Sequence, residues 1–524
     1  MALQSAPSPE DAKAFLPLAS AGASSNAAAS APADSECPVA QTAGPREQEP
    51  AQRLDLRAVW SLTSMSLGAG VFAIPSCFAR LGLAHGAIWV IVLAFFACFC
   101  LERLLDLAAL ESAADYETLS VRCFGRAGKF GIAVITAMTT GVASLAYLSA
   151  AKSLLEPVGV AFFVGIDVNA WGGNVRVLDE TREIAFLAAQ LCAVLPLCLG
   201  RTMGASAWIS ALGVFVVLVS IVYFCGFCIY LLARGCGTDA SCGQQSPRWV
   251  AGSPLSVPVD VAQLAFSYSL VFALFPVLQE RVVRDNVATI AVSMKKVVRA
   301  SCSICCVSYL FVGVMGALAL GDAAKPIALV NLSLRWAPSQ LVCLSLGTVL
   351  TLLFAVISFP TLQSVEVLLG SCVSADRVER WRPGLVASLG VVCIAIDAGL
   401  PTKYAFALTG SLGLASGGYI LPCLLYLRLG RQAPHGPAAA FELQRDVPGE
   451  ELPPQPTRHR SAAVAILIFG MVLVCICTPA TLLGVVRNED SASAPIELRD
   501  VLRHDLCKSS GGADVLPAIS SFEL

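Results

Sequence analysis

Ser66-Leu-Gly-Ala-Gly-Val-Phe-Ala-Ile-Pro75 sits inside an apolar stretch running from about residue 57 to 80. Gly68 and Gly70 lack the Cβ that penalises unusual dihedrals. Pro75 removes a backbone donor and clashes with the preceding turn, so a helix through this stretch is expected to break. A second run, Phe266-Ser-Tyr-Ser-Leu-Val-Phe-Ala-Leu-Phe-Pro276, places the hydroxyls of Ser267, Tyr268 and Ser269 in mid-stretch with a proline behind them. In lipid an unwound backbone finds no water, so an interruption persists only where it lines a cavity or is buried in protein.

The surroundings of these runs fix the class. The chain has 524 residues, of which 56% are hydrophobic and 14% charged, with a mean hydropathy of +0.72. Its apolar residues come in long blocks rather than periodic stripes, and a bilayer crossing needs about 20 of them. Eleven stretches qualify, near 57–80, 85–106, 129–152, 183–200, 204–233, 259–279, 300–320, 338–369, 384–400, 402–427 and 461–483. The expected fold is an all-α membrane protein of about eleven transmembrane helices occupying residues 53–486. Residues 1–52, rich in Ala, Ser and Pro, read as a disordered cytoplasmic tail without the basic leader and apolar core of a signal peptide. The 428–460 segment reads as a flexible loop and 487–524 as a C-terminal tail.

The interrupted stretches are the first and the sixth. Five helices apart is the spacing a five-plus-five inverted repeat produces, with substrate held by exposed half-helix ends. A half-helix N-terminus offers N–H groups and partial positive charge to a carboxylate, and freed carbonyls suit an ammonium group or a sodium ion. A zwitterion matches both. Taken alone, either interruption could equally be a packing glycine or an ordinary proline kink.

Charge narrows the partners and suggests an orientation. A net charge of −2 and no Lys/Arg stripe with interleaved aromatics speak against nucleic acid, leaving the bilayer and a small solute. About two thirds of the 35 Lys and Arg fall on the side of the N-terminus, which places it inside and the C-terminus outside. The basic stretch Arg281 to Arg299 contributes most, and Val282, Val283, Val287, Ile290 and Val297 give it an amphipathic look suited to the inner leaflet. Asn331 with Ser333 is the one Asn-x-Ser/Thr acceptor, in a loop expected outside. Most of the 21 cysteines lie in apolar stretches and read as packing; Cys236 and Cys242 share a polar loop, where a disulfide and two free thiols are both open readings.

The chain resembles the amino acid/auxin permease family, in particular its sodium-coupled neutral and vacuolar amino acid transporters. The resemblance runs from about Leu56 to Val486. It is carried by Gly68-Ala-Gly-Val-Phe-Ala-Ile-Pro75, Ala265-Phe-Ser-Tyr268, Phe275-Pro-Val-Leu-Gln-Glu280 and Ser358-Phe-Pro-Thr361. It implies a leucine-transporter-like fold and a plasma-membrane or vacuole/lysosome-like location. It further implies Gly68, Ala69 and Gly70 against the substrate carboxylate and the Ser267, Tyr268, Ser269 and Leu270 backbone completing the site. Ser64 stands where sodium-coupled relatives tend to have Asn, and Leu353 near where they offer a polar group; both departures put sodium coupling in question.

Candidates for coupling to a proton or sodium ion are Ser64, Thr348 and Thr351, the last two near one helix face, and Glu366, for which an interfacial pairing with Arg377 or Arg380 is the plainer reading. Tyr147 is placed either in the pocket or at the lipid interface. Asp260 and Asp397 fall near outer helix ends and are expected to be solvated, while Glu280 is expected near Arg281 or Arg284. An intramembrane enzyme would need a buried acid/base or metal cluster, but His85, His435, His459 and His504 all lie in loops, tails or helix ends. No cofactor is expected. Neither break carries the acidic, Met or His ligands of a divalent-metal carrier. A small or medium neutral amino acid is the expected substrate, because an acidic one would need a basic partner in the pocket. A transporter-like sensor remains the alternative, and sequence leaves the oligomeric state open.

Overall fold

The computed structural model describes residues 55–113, 115–164, 175–176, 180–199, 207–234, 248–254, 256–282, 287–370, 373–397, 400–432, 459–487 and 496–497. Nearly all of the expected tails, most of the 428–460 loop, and Cys236 and Cys242 lie outside the described residues. Helix dominates. Asp55 caps α1 (Leu56–Ser66), its carboxylate accepting the backbone N–H groups of Arg57 and Ala58. A 3₁₀ stretch, Ala69–Ala73, separates α1 from α2 (Ile74–Leu81). Then come α3 (Leu83–Glu111), the short α4 (Tyr116–Phe124) and α5 (Arg126–Val164). They are followed by α6 (Glu180–Cys198) and α7 (Ala207–Arg234).

The second interrupted pair is α8 (Val257–Phe266) and α9 (Val271–Val282), and α10 (Val287–Leu320), α11 (Ala337–Gly370) and α12 (Ala375–Asp397) follow. A continuous rod then passes through α13 (Thr402–Leu408), a π-helical stretch Thr409–Ile420 and α14 (Leu421–Gln432). The last rod is α15 (Arg460–Val472), a π turn Leu473–Cys477 and α16 (Thr478–Arg487). A short parallel pairing sets β1 (Val175–Arg176) against β2 (Ile496–Glu497), joining the α5–α6 connection to the C-terminal segment.

Among the described residues eight helical rods are long and apolar enough to cross a membrane. Helix is present at each of the eleven apolar stretches, but the first is divided, α6 is short, and α12 begins with a charged turn (Asp376, Arg377, Glu379, Arg380, Arg382). Packing pairs the halves of the chain: α3 lies against α10, α5 against α11, α6 against α12, α2 against α8 and α1 against α9.

Three expectations are corrected. From Val287 on, the basic Arg281 to Arg299 stretch is the start of a packed helix rather than a separate amphipathic segment. Helix α10 already begins at Val287, and Val287, Ile290 and Val297 are buried against protein while Lys295 and Arg299 pair with Asp106 and Glu102 of α3. Asn331 is buried, its amide donating to Ala323 O (2.7 Å) and accepting Lys325 N–H (3.0 Å), so it folds a loop rather than presenting a glycan acceptor. Asp260 and Asp397, expected in solvent, have fully buried side chains, paired with Arg80 at 2.6 Å and Lys152 at 2.8 Å. Closeness to a helix end does not ensure exposure when other helices cover that end, and a buried carboxylate then requires a cation beside it.

Candidate functional site

The two interruptions meet at the centre of the molecule. In each, the regular i→i−4 ladder gives way to tighter bonding: Val71 N–H bonds Gly68 O in the first, and Ser267, Tyr268, Phe272 and Ala273 bond the carbonyls three residues back in the sixth. Carbonyls released by this change are taken up by side-chain hydroxyls. Ser66 Oγ donates to Ser267 O (2.6 Å), Ser267 Oγ to Gly70 O (3.3 Å), and Ser269 Oγ to Phe266 O. From α10, the Tyr309 hydroxyl lies 2.7 Å from Ser66 O and 2.6 Å from Ser267 O. Hydroxyl rescue of this kind is what allows a broken helix at membrane depth.

Glycine is required here by close approach. A Cβ on Gly68 would stand 2.5 Å from the Tyr147 hydroxyl, and one on Gly70 would stand 3.0 Å from Ser267 Oγ and 3.2 Å from Ser267 Cα. Backbone of the first break is therefore in direct contact with α5 on one side and with the sixth break on the other. Tyr147 is buried, with its hydroxyl against Gly68.

The nominated residues do not all come together. Gly68, Gly70, Ser267, Tyr268, Ser269, Leu270 and Tyr147 cluster at the meeting of the breaks, although the Tyr268 hydroxyl points away, donating to Val90 O at 2.9 Å. Ala69 lies in the same 3₁₀ stretch by its backbone, and Ser64 on α1; their side chains, like that of Glu280, fall outside the described residues. Thr348 is exposed and Thr351 buried; each donates to the carbonyl four residues back, Leu344 O at 2.8 Å and Gly347 O at 2.9 Å. Leu353 leans on α7 beside Gly213. Glu366 is ion-paired, with Arg382 at 2.9 Å rather than the Arg377 or Arg380 expected from sequence. Ionic ties also join the ends of the broken pair. Arg80 of α2 meets Asp260 and Gln263 of α8 at one end, and Arg281 of α9 meets Asp55 ahead of α1 at the other.

Sequence reading passed over Ser66 and Tyr309, which hold the breaks together, and the Thr140–Thr361 (2.7 Å) and Ser144–Ser358 (3.3 Å) contacts that join α5 to α11 beside them. One signal was available: a tyrosine in mid-span among cysteines needs a partner for its hydroxyl when buried.

Comparison with known proteins gives this arrangement its context. Residues 55–437 match the family described as transmembrane amino acid transporter protein. The chain belongs to that family. The transporter is 24% identical over 386 residues to amino acid transporter AVT6E of Arabidopsis thaliana, covering 72% of this chain and 76% of the relative. It is also 24% identical over 402 residues to sodium-coupled neutral amino acid symporter 2 of Danio rerio, covering 71% and 75%. Among solved structures it resembles Mhp1, a nucleobase-cation-symport-1 family transporter, at 14% identity and a TM-score of 0.45, covering 82% of this chain and 92% of that one. Membership of a family of transporters places the chain outside the enzymes, as the histidine positions had suggested.

Proposed function

We propose that this chain is a secondary active transporter of small or medium neutral amino acids, carrying substrate by alternating access through a site between the two interrupted helices. The observation that carries this reading is the meeting of the breaks: Gly68 and Gly70 bring bare backbone against Tyr147 and Ser267, and the carbonyls of both breaks are met by buried hydroxyls. A carboxylate would sit at the glycine-rich end of the 3₁₀ stretch, where N–H groups begin the α2 half-helix, and displacement of the Tyr147 hydroxyl would open the space. An anionic substrate is disfavoured because the nearby basic side chains, Arg80 and Lys152, are already paired with Asp260 and Asp397.

Eleven crossings in a five-plus-five inverted repeat account for the packing of α1/α2 with α8/α9, α3 with α10, α5 with α11 and α6 with α12. With an odd number of crossings, the α5–α6 connection and the C-terminus share a side of the membrane, in keeping with the β1–β2 pairing, and the N-terminus lies in the cytoplasm. Transport is driven by a proton or sodium gradient across a plasma or vacuole/lysosome-like membrane. Ser64, Thr348, Thr351 and Glu366 are the residues whose replacement would test coupling.

Uptake of labelled neutral amino acids into proteoliposomes, with an inward sodium gradient, an inward proton gradient or neither, tests the reading. Uptake is expected. Binding without uptake, in vesicles shown to contain folded protein, would instead establish a transporter-like sensor. Glu366→Gln is expected to abolish the pH dependence of transport if Glu366 carries the proton; persistence of that dependence would remove it from the mechanism.

A further inference from the structure

Four oxygens converge where the interruptions cross: Ser66 O, Ser66 Oγ, Ser267 O and Tyr309 Oη, linked by contacts of 2.6–2.7 Å. Carbonyls freed at the C-terminal ends of half-helices carry partial negative charge, and they must meet either a cation or a hydrogen-bond donor. Here they meet donors, with the buried Cys305 thiol beside both hydroxyls. Ser66 and Tyr309 each bring one hydroxyl proton, and Ser66 O and Ser267 O are the two carbonyls to be satisfied.

We propose that Tyr309 supplies a resident phenolic proton at the point between the two breaks where a coupling cation would otherwise be held, so that transport by this chain does not use sodium at that point. The inference rests on the transport reading above and deepens it by taking the point between the breaks out of the places where sodium could be bound. The space is already filled. Tyr309 is fully buried, and its ring stands edge-on to Tyr268 with centroids 5.1 Å apart and planes 82° apart, which hinders it from swinging aside. Admitting an ion would require the Ser66 and Tyr309 hydroxyl protons to leave the two carbonyls they already engage. In the proposed carrier the phenol therefore does permanently, without charge, what an ion would do transiently: it holds the first and sixth helices together at their breaks.

The test uses purified full-length protein and two readouts. Thermal melting is compared in sodium chloride and in choline chloride of equal ionic strength, and uptake of labelled neutral amino acids is measured with and without a sodium gradient. The wild type is expected to melt and transport alike in both salts. Tyr309→Phe keeps the ring and removes the proton; it is expected to melt several degrees lower in both salts and to lose about fivefold in uptake, the effect of one hydrogen bond. Ser66→Ala removes the other donor and is expected to do the same, which keeps the comparison readable if the first variant expresses poorly. A sodium-dependent rise in wild-type melting temperature that Tyr309→Phe abolishes would overturn the proposal, as would a Tyr309→Phe protein indistinguishable from wild type. Failure of the wild type to take up any amino acid would instead defeat the transport reading and leave the melting comparison to judge the ion.

Discussion

The two interrupted helices reach the same outcome by different chemistry. The first is broken by absence: Gly68 and Gly70 remove side chains, so its backbone comes within contact of Tyr147 and Ser267, and five residues of 3₁₀ structure separate its halves. The sixth contains no glycine between Phe266 and Pro276. A four-residue turn at 267–270 does the separating, and Ser267 and Ser269 return hydroxyls to carbonyls at Gly70 and Phe266. One break creates room and the other supplies polar partners. The contrast extends to their ends. The Arg80–Asp260 tie engages a carboxylate with no exposure, whereas Asp55, in the tie to Arg281, is 40% exposed. A buried pair cannot be opened without leaving a charge stranded, while an exposed one opens into water at small cost.

The largest effect should come from refilling the first break. Gly68→Leu would drive a side chain into the Tyr147 hydroxyl and is expected to abolish uptake while the protein still inserts; uptake in vesicles containing correctly inserted protein checks both halves of that statement. Asp260→Asn comes next, because it removes the charged partner of Arg80 between α2 and α8 while the Gln263 and Ser76 contacts and partial exposure of the guanidinium remain; a loss of about 1.5–3 kcal/mol in denaturant unfolding is expected, the range of a hydrogen bond to a charged group. Ser267→Ala removes a single hydroxyl bond from Gly70 O and should cost about 1 kcal/mol, with about a fivefold fall in uptake. If Ser267→Ala proved as damaging as Gly68→Leu, the division of labour between the breaks would be wrong.

The smallest effect belongs to the Asp55–Arg281 tie and is visible through pH. Burial works to raise the Asp55 carboxyl, but the Ala58 N–H, the Arg281 guanidinium and the Arg57 N–H outweigh it and hold the group below its ordinary value of 3.8. With a depressed value in the fold, its stabilisation is present above 3.8 and is lost as pH falls through the lower folded-state value. Asp55→Asn should therefore lie slightly below wild type at neutral pH and converge with it in acid. Thermal melting as a function of pH distinguishes this from a pH-independent packing effect.

Much of this was legible along the chain. Long apolar blocks announced helices, and helix is found at every one of the eleven stretches, although α10 starts thirteen residues before the apolar block at 300–320 because its first turns bury Val287, Ile290 and Val297 against neighbouring helices. Glycines and hydroxyls beside prolines announced both breaks within a few residues. Pairing was less legible. Glu366 found Arg382, two residues beyond Arg380, and Asp260 and Asp397 found cations 180 and 245 residues away. The π-helical Thr409–Ile420 stretch left no mark that reading for periodicity detects, since its four glycines and three Ser and Thr residues fit an ordinary packed spanning helix as well.

Sequence by itself determined where the backbone must leave the regular helix, because glycine, proline and hydroxyl side chains act on their own turn and need no distant partner. Only the tertiary structure decided that Tyr309 would cap the released carbonyls, that Tyr147 would rest on Gly68, and which charges would be buried together. Those are contacts between residues 42 to 245 positions apart, set by which helices pack side by side, and a one-dimensional pattern of polarity carries no distance between them.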